Sequence, residues 1–346
     1  MFKIAKAKWP ELWQALAKEG QLYLPALIDS KTDFTVWEKG VKVDLLTVPT
    51  AKSIKQLFFA QVEPLLDFKT EGKKVAVTAQ KLPVQKTIAF GVRACDLAGF
   101  DILDKVFLKE PVDTFYQARR ENCTLIGLAC GFPEETCFCQ AFNIDAAAPA
   151  GDIMTWLVWD NLYWESLSEK GKELTAKLDS LLKPATEADA QLVKTQQVKT
   201  REILKQLPLG KFKFNPQLPL REQEIFNSKI WEKLAATCLS CCGCTYVCPT
   251  CHCYDVRDYA AKGGTVERFR CWDSCMHGDF TKMAHGNPRK GQLERFRQRY
   301  MHKLVYFPED YEGTFACVGC GRCLRICPVN LNIVKVAKEL EVDLHV

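Results

Sequence analysis

The sequence predicts two unlike halves, an α/β N-terminal domain and a mostly α-helical C-terminal domain organised around cysteine. Three observations carry this. Up to residue 165, short β-rich runs alternate with helical ones. Residues 166–223 are polar, charged and free of cysteine. From residue 224 to 346 the chain holds 13 of its 18 cysteines.

Taken in order, Trp9 to Lys18 has the apolar spacing of an amphipathic helix. Lys74 to Thr78, Thr87 to Val92 and Thr124 to Leu128 are short runs rich in β-branched residues and read as strands. Between the last two, Cys95 to Val106 and Asp113 to Asn122 read as helices, which makes a βαβ-like layer. Gly151 to Trp164 adds one or two strands. Ser166 to Leu182 fits an amphipathic helix, closed at Lys183-Pro184 because proline cannot continue the hydrogen-bond ladder. Leu207-Pro-Leu-Gly and Asn215-Pro-Gln-Leu-Pro mark loop or linker. A helix from Glu224 to Thr237 then leads into the cysteine-rich domain.

A length of 346 residues suits two or three domains with a sizeable core. Dense cysteine means either disulfides in a secreted chain or metal ligands in a reducing compartment. The first twenty residues hold no continuous apolar run of a secretory signal, and no stretch reaches the length of a membrane span. The expectation is therefore metal ligation in the cytoplasm of an anaerobe. The net charge of +5 is too small to argue for nucleic acid.

The deciding motif occurs twice, as Cys238-x2-Cys241-x2-Cys244-x3-Cys248-Pro249 and as Cys317-x2-Cys320-x2-Cys323-x3-Cys327-Pro328. In such a run three thiolates grip one [4Fe–4S] cubane, and in two-cluster folds the fourth cysteine ligates the other. One cluster then takes Cys238, Cys241, Cys244 and Cys327, and the second takes Cys317, Cys320, Cys323 and Cys248. Gly243, Gly319 and Gly321 let backbone amides approach the sulfurs. Zinc prefers two well-separated pairs of ligands, which fits these runs poorly. The C-terminal half is thus expected to be a ferredoxin-like [4Fe–4S] dicluster domain. Its two runs are separated by 68 residues, far more than a compact ferredoxin needs.

Other cysteines form weaker sets. Cys95, Cys130, Cys137 and Cys139 lie at or beyond expected strand ends, where four converging thiols would hold a third [4Fe–4S] cluster or a zinc ion; ordinary buried cysteine is the bland alternative. Cys123 reads as core. Cys251, Cys253 and Cys275, joined by Cys271 or His252, are candidates for a further site. Cys242 beside Cys241 looks like a fragment of the Cys-Cys-Gly motif of heterodisulfide-reductase subunits, but the rest of that motif is missing and a non-ligand role is favoured. Arg289, Lys290, Arg295, Arg297, Arg299 and Lys303 form a basic stretch, read as a solvated helix face, as cations near a negatively charged cluster, or as a docking surface for an acidic partner.

Six motifs together resemble a known family: Gly91-Val-Arg-Ala-Cys-Asp-Leu, Thr136-Cys-Phe-Cys, Cys248-Pro-Thr-Cys-His-Cys, Trp272-Asp-Ser-Cys, Arg297-Gln-Arg-Tyr-Met-His-Lys and Cys317-Val-Gly-Cys-Gly-Arg-Cys. In order and spacing the chain is similar to the [4Fe–4S] dicluster electron-transfer subunits typified by the dicluster subunit of anaerobic sulfite reductase and the beta subunit of cytoplasmic nickel–iron sulfhydrogenases. The resemblance implies an electron-relay role within a complex. Its partners would be a flavin- and [2Fe–2S]-bearing NAD(P)H-linked subunit together with a catalytic redox subunit, with no nucleic acid and no membrane span. It also implies that the eight cysteines of the two runs are ligands, and it strengthens the case for the four N-terminal ones. Cys242 and Cys271 depart from the family pattern. The rival readings are a catalytic heterodisulfide-reductase-like subunit, built on Cys242, and a zinc-binding interaction module. No G-x-G-x-x-G fingerprint is present, so the chain itself is not expected to bind NAD.

Overall fold

The computed structural model describes residues 1–260 and 263–344. The chain begins with β1 (Phe2–Ala5), α1 (Trp9–Glu19), β2 (Gln21–Ile28) and β3 (Lys31–Val36), then the hairpin β4 (Val62–Glu71) and β5 (Lys74–Ala79). Next come β6 (Thr87–Val92), α2 (Ala94–Phe107), α3 (Thr114–Glu121), β7 (Cys123–Leu128), β8 (Ile153–Val158) and β9 (Asn161–Ser166). The middle segment carries α4 (Glu169–Ala176), β10 (Lys183–Pro184) and α5 (Glu187–Gln206). The C-terminal part runs α6 (Glu222–Asn227), α7 (Ile230–Ala235), α8 (Gly243–Tyr246), β11 (Tyr254–Ala260), β12 (Thr265–Trp272), α9 (Gln292–Met301), α10 (Phe307–Asp310), α11 (Arg322–Ile326) and α12 (Ile333–Asp343).

The N-terminal half is built on an eight-stranded sheet of order β10-β1-β9-β8-β7-β6-β2-β3. Its centre, β2, β6, β7 and β8, is parallel. Parallel strands need cover on both faces, and β6 accordingly reads as an unbroken apolar run, Ile88 to Val92, all buried. One face packs Leu12, Trp13 and Leu16 of α1 and Leu174 of α4. The other packs Leu97, Phe100 and Leu103 of α2 and Tyr116 of α3. The crossover from β6 through α2 and α3 to β7 aims the C-terminal ends of the central strands at one edge, where open α/β sheets place their functional residues. Arg93, between β6 and α2, donates to the carbonyls of Ala129 and Leu45 and pins that edge.

The segment 166–223 carries more structure than its polar composition suggests. The expected helix from Ser166 to Leu182 is confined to α4, because Ser166 still belongs to β9 and Ser168 caps the helix by accepting from the Gly171 amide. Lys183-Pro184 is a short strand beside Phe2 and Lys3. Helix α5 opens on a reciprocal cap between Thr186 and Asp189. It lies along the cysteine edge of the sheet, with the Thr200 hydroxyl donating to the Cys130 carbonyl at 2.8 Å.

The C-terminal half departs from the mostly helical expectation. The insert between the cysteine runs folds back as β11 and β12, which join β4 and β5 in a four-stranded antiparallel sheet of order β11-β12-β4-β5. The pairing of β12 with β4 runs from Thr265 opposite Lys69 to Cys271 opposite Val62. Alternation in Thr265-Val-Glu-Arg-Phe-Arg had the strand period, but its partner lies far away in the sequence. Buried Arg270 secures the junction, its Nε donating to buried Glu63 at 2.7 Å and its Nη1 pairing with Asp113. The expected helix from Glu224 to Thr237 is two helices, α6 and α7, broken at the extended Ser228. The remaining helices, with α9 extended by a π-helical turn over His302–Tyr306, enclose a core around Trp231, Phe296, Tyr300 and Leu340. Among the described residues no helix is long and apolar enough to cross a membrane.

The halves are tied at Arg322, two residues past Cys320. Its guanidinium grips Asp96 of α2 through two hydrogen bonds of 2.8 and 2.7 Å and donates from Nε to the Thr50 carbonyl at 3.0 Å. Both side chains of the pair are 1% exposed. Asp96→Ala leaves an unpaired buried cation, so it should lower stability by about 3–5 kcal/mol, while the double variant with Arg322→Met should lose less. Chemical denaturation of the two variants checks this; equal losses would contradict it.

Candidate functional site: two thiol-lined cavities and a third thiol set

The two cysteine runs adopt one design. Each is a loop followed by a short helix, α8 in the first and α11 in the second, and these helices pack together. The loops turn through left-handed residues, Ser240 and Cys242 in the first and Gly319 and Gly321 in the second. Each helix delivers the last cysteine of its run to the opposite loop. One cavity is therefore lined by Cys238, Cys241, Cys244 and Cys327. The other is lined by Cys317, Cys320, Cys323 and Cys248. This is the crossed grouping that the spacing suggests.

Burial dominates the electrostatics. Cys317 is pushed up to about 12 by burial, against the pull of Lys303. Cys238 is raised by burial and by its neighbours Cys244, Cys241 and Cys327. Cys248 moves down, because the Cys251 thiol donates to it and Lys303 stands beside it. Buried cations face these thiols. Lys303 Nζ lies 3.5 Å from Cys248 Sγ and bonds the Thr250 hydroxyl and Ala316 carbonyl, both at 2.8 Å. Arg299 lines both cavities and keeps two buried nitrogens without a hydrogen-bond partner among the described residues. Lys55 reaches the Cys251 carbonyl at 2.8 Å and lies over the Trp272 ring. A donor set of four thiols facing buried, incompletely satisfied cations suits an anionic group held by thiolate.

The structure buries the four N-terminal cysteines in one region. Cys95 in the first turn of α2, Cys130 beyond β7, and Cys137 and Cys139 in the following loop are all buried in one cluster that also contains Cys320. Cys137 is pushed up to about 12 by burial and by Cys130, and Cys139 is raised by burial, Cys130 and Cys137. Their loop is bound to the second run, the Phe138 amide donating to the Gly319 carbonyl at 2.9 Å. Gly319 and Gly321 press on the backbone of Phe138 and Thr136, where a Cβ would collide.

The insert cysteines pair rather than cluster. Cys251 meets Cys248, and Cys253 meets Cys275, whose thiol holds Cys253 down at about 7. His252, pushed down to about 4 by burial, is held at the Thr250 carbonyl and stands 5.4 Å from the His302 ring. Cys271 sits apart on β12, among Arg257, Asp255 and Asp273. Cys242 borders the first cavity, but its thiol donates to the Ser240 carbonyl. Cys123 is core, as expected. Among the described residues, no three of His, Cys, Asp and Glu gather closely enough to chelate a single metal ion.

A family model described as a 4Fe-4S dicluster domain matches residues 237–331. Sulfhydrogenase 2 subunit beta of Pyrococcus furiosus is 34% identical over 341 residues, which cover 98% of this chain and 97% of that protein. The chain belongs to the sulfhydrogenase beta-subunit family. It is an iron–sulfur electron-transport protein whose C-terminal part is a 4Fe-4S dicluster domain. No solved structure matches it. The likeness to the Pyrococcus protein extends beyond the matched dicluster segment into the α/β half that carries the four N-terminal cysteines.

The cationic side of the site was partly missed in the sequence. Arg299 and Lys303 lay inside a stretch read both as a solvated face and as cations near a cluster, and only their spacing of four placed the two on one helical side. Arg322 had a signal, a cation between two ligand-type cysteines in Cys320-Gly-Arg-Cys323. Lys55 had none.

Gly319 combines a φ of +61° with contact against the Phe138 carbonyl. Gly319→Ala should cost roughly 1–3 kcal/mol through backbone strain alone and reduce the iron retained. Gly278→Ala, whose Cβ meets nothing within 4 Å, should leave both melting temperature and iron content near wild type.

Proposed function

We propose that this chain is the electron-relay component of a multi-subunit oxidoreductase of the cytoplasm. It would lie between a flavin- and NAD(P)H-linked subunit on one side and a catalytic subunit, such as a hydrogenase or sulfite reductase, on the other. The observation that carries the reading is the pair of cavities, each lined by three cysteines of one run and the last of the other. Bound there, [4Fe–4S] clusters supply reversible one-electron storage. Cys238, Cys241, Cys244 and Cys327 hold one, and Cys317, Cys320, Cys323 and Cys248 hold the second.

Cys95, Cys130, Cys137 and Cys139 hold a third cluster in this reading, next to Cys320 of the second set. The protein supplies the surroundings: apolar residues along both cavities, such as Phe296 and Ile333, amides at the loop glycines, and buried cations. A reducing compartment suits a chain whose eighteen cysteines serve largely as metal ligands, which supports the cytoplasm. The relative's name makes it one part of a sulfhydrogenase, which supports a catalytic partner.

Anaerobic purification with iron, sulfide and zinc counts, followed by EPR of the reduced protein, tests the reading. About twelve irons per chain are expected for three cubanes, and Cys137→Ser should remove about four of them. About eight irons with one zinc would assign zinc to the N-terminal set. Zinc without iron or sulfide would overturn the relay altogether. Cys242→Ser should leave the iron count and the EPR of the first cluster unchanged, since its thiol is already engaged by the Ser240 carbonyl. Loss of substrate turnover in that variant, with electron transfer from the partner intact, would favour the heterodisulfide-reductase-like rival.

A further inference from the structure

The basic stretch carried by the insert separates in space. Arg297 lies over the Phe226 ring with its centre at 3.6 Å and donates to the Phe226 carbonyl. Arg295 spends its guanidinium on the carbonyls of Met276, Arg289 and Lys290. Arg299 and Lys303 turn inward, and they are 3% and 4% exposed. They differ in what they face. Lys303 borders only the cavity of Cys248, Cys317, Cys320 and Cys323. Arg299 borders both cavities.

Arg299 is also unfinished as a hydrogen-bonding group. Nη2 donates to the Cys244 carbonyl at 3.3 Å, whereas Nε and Nη1 are buried with no partner among the described residues. Such a buried, unpaired donor carries a desolvation penalty, and an uncompensated buried charge carries a larger one. Among the described residues, the acidic groups that couple to it most strongly are the Cys244, Cys323 and Cys251 thiols and the Tyr300 hydroxyl, none of them a carboxylate. Cys244 belongs to one cavity and Cys323 to the other. A buried cation needs a negative neighbour, and the groups able to become negative here are the thiols of the two sets together with what they hold.

We propose that Arg299 is the shared counter-charge of the two cluster sites and raises both reduction potentials together, while Lys303 acts on one site alone. This rests on the two-cluster reading above. A fixed positive charge in a poorly screened interior favours the state with one more electron, and the effect falls with distance. A charge on the wall of both cavities therefore acts on both centres, and Lys303 at Cys248 acts on the nearer one. Arg299 is a positioning and tuning group, since its role is electrostatic and it supplies no ligand.

The test is an EPR-monitored redox titration of the anaerobically purified full chain. Iron and sulfide counts run in parallel, so absence of clusters from the wild type, which would sink the earlier reading, is separable from failure of this one. Arg299→Gln should move both midpoints of the dicluster domain to more negative values at unchanged iron content. Arg299→Lys should return both towards wild type, because charge and not guanidinium shape is what acts. Lys303→Gln should shift only one centre. A single shifted centre in R299Q, unshifted midpoints, or an R299K as negative as R299Q would overturn the proposal. Should R299Q not retain iron, Arg299→Met is titrated in its place: both midpoints must fall together, and a fall confined to one centre sinks the assignment.

Discussion

Arg322 carries its guanidinium into a place closed to water, and Asp96 meets it there with both carboxylate oxygens. Such a pair adds little net stability once desolvation is counted, but it tolerates only one relative placement of its partners. Asp96 follows Cys95 on α2, and Arg322 lies between Cys320 and Cys323 on the second run. The pair therefore sets how the α/β half meets the dicluster half, and it brings the N-terminal thiols against the second cavity. The glycine contacts at Phe138 and Thr136 and the Phe138–Gly319 hydrogen bond depend on the same docking.

Around that junction the protein solves one electrostatic problem repeatedly. Burial favours neutral thiols, as the raised values of Cys137, Cys139, Cys317 and Cys323 show. Ligation requires thiolates. The structure offsets this by burying cations as well: Lys55, Arg299, Lys303 and Arg322 all sit within the thiol region. The π-helical turn at His302–Tyr306 has a clear consequence here, since it contains Lys303 and offsets that residue from the regular path of α9. The second sheet serves the same end from a distance. By stitching the insert to β4, it holds Trp272 under Lys55 and fixes the chain leading to Cys275.

Legibility in the sequence followed locality. The two cysteine runs were readable because a cluster-binding loop is local: its spacing is its geometry, and the crossed grouping follows from the helix that ends each run. The central strands and α2 were readable because fully buried parallel strands leave continuous apolar runs. Helix α5 was hidden by a surface-like composition, although Thr186 and Asp189 carried its cap. The four-stranded sheet was hidden because β4 and β12 are brought together by the fold and not by a turn. Arg299 looked like its neighbours Arg295 and Arg297, for a side chain's environment depends on what packs over it.

By itself the sequence determined the chemistry, because thiolate spacing of C-x2-C-x2-C-x3-C-P marks a [4Fe–4S]-binding domain. It also determined the α/β character of the first half through period and apolar runs. The tertiary structure alone decided that Cys95, Cys130, Cys137 and Cys139 share one apolar cluster, that part of the insert pairs into a sheet, and which cations turn inward. Those outcomes hang on contacts between residues far apart in the chain, where desolvation and close packing, not local preference, select the partner.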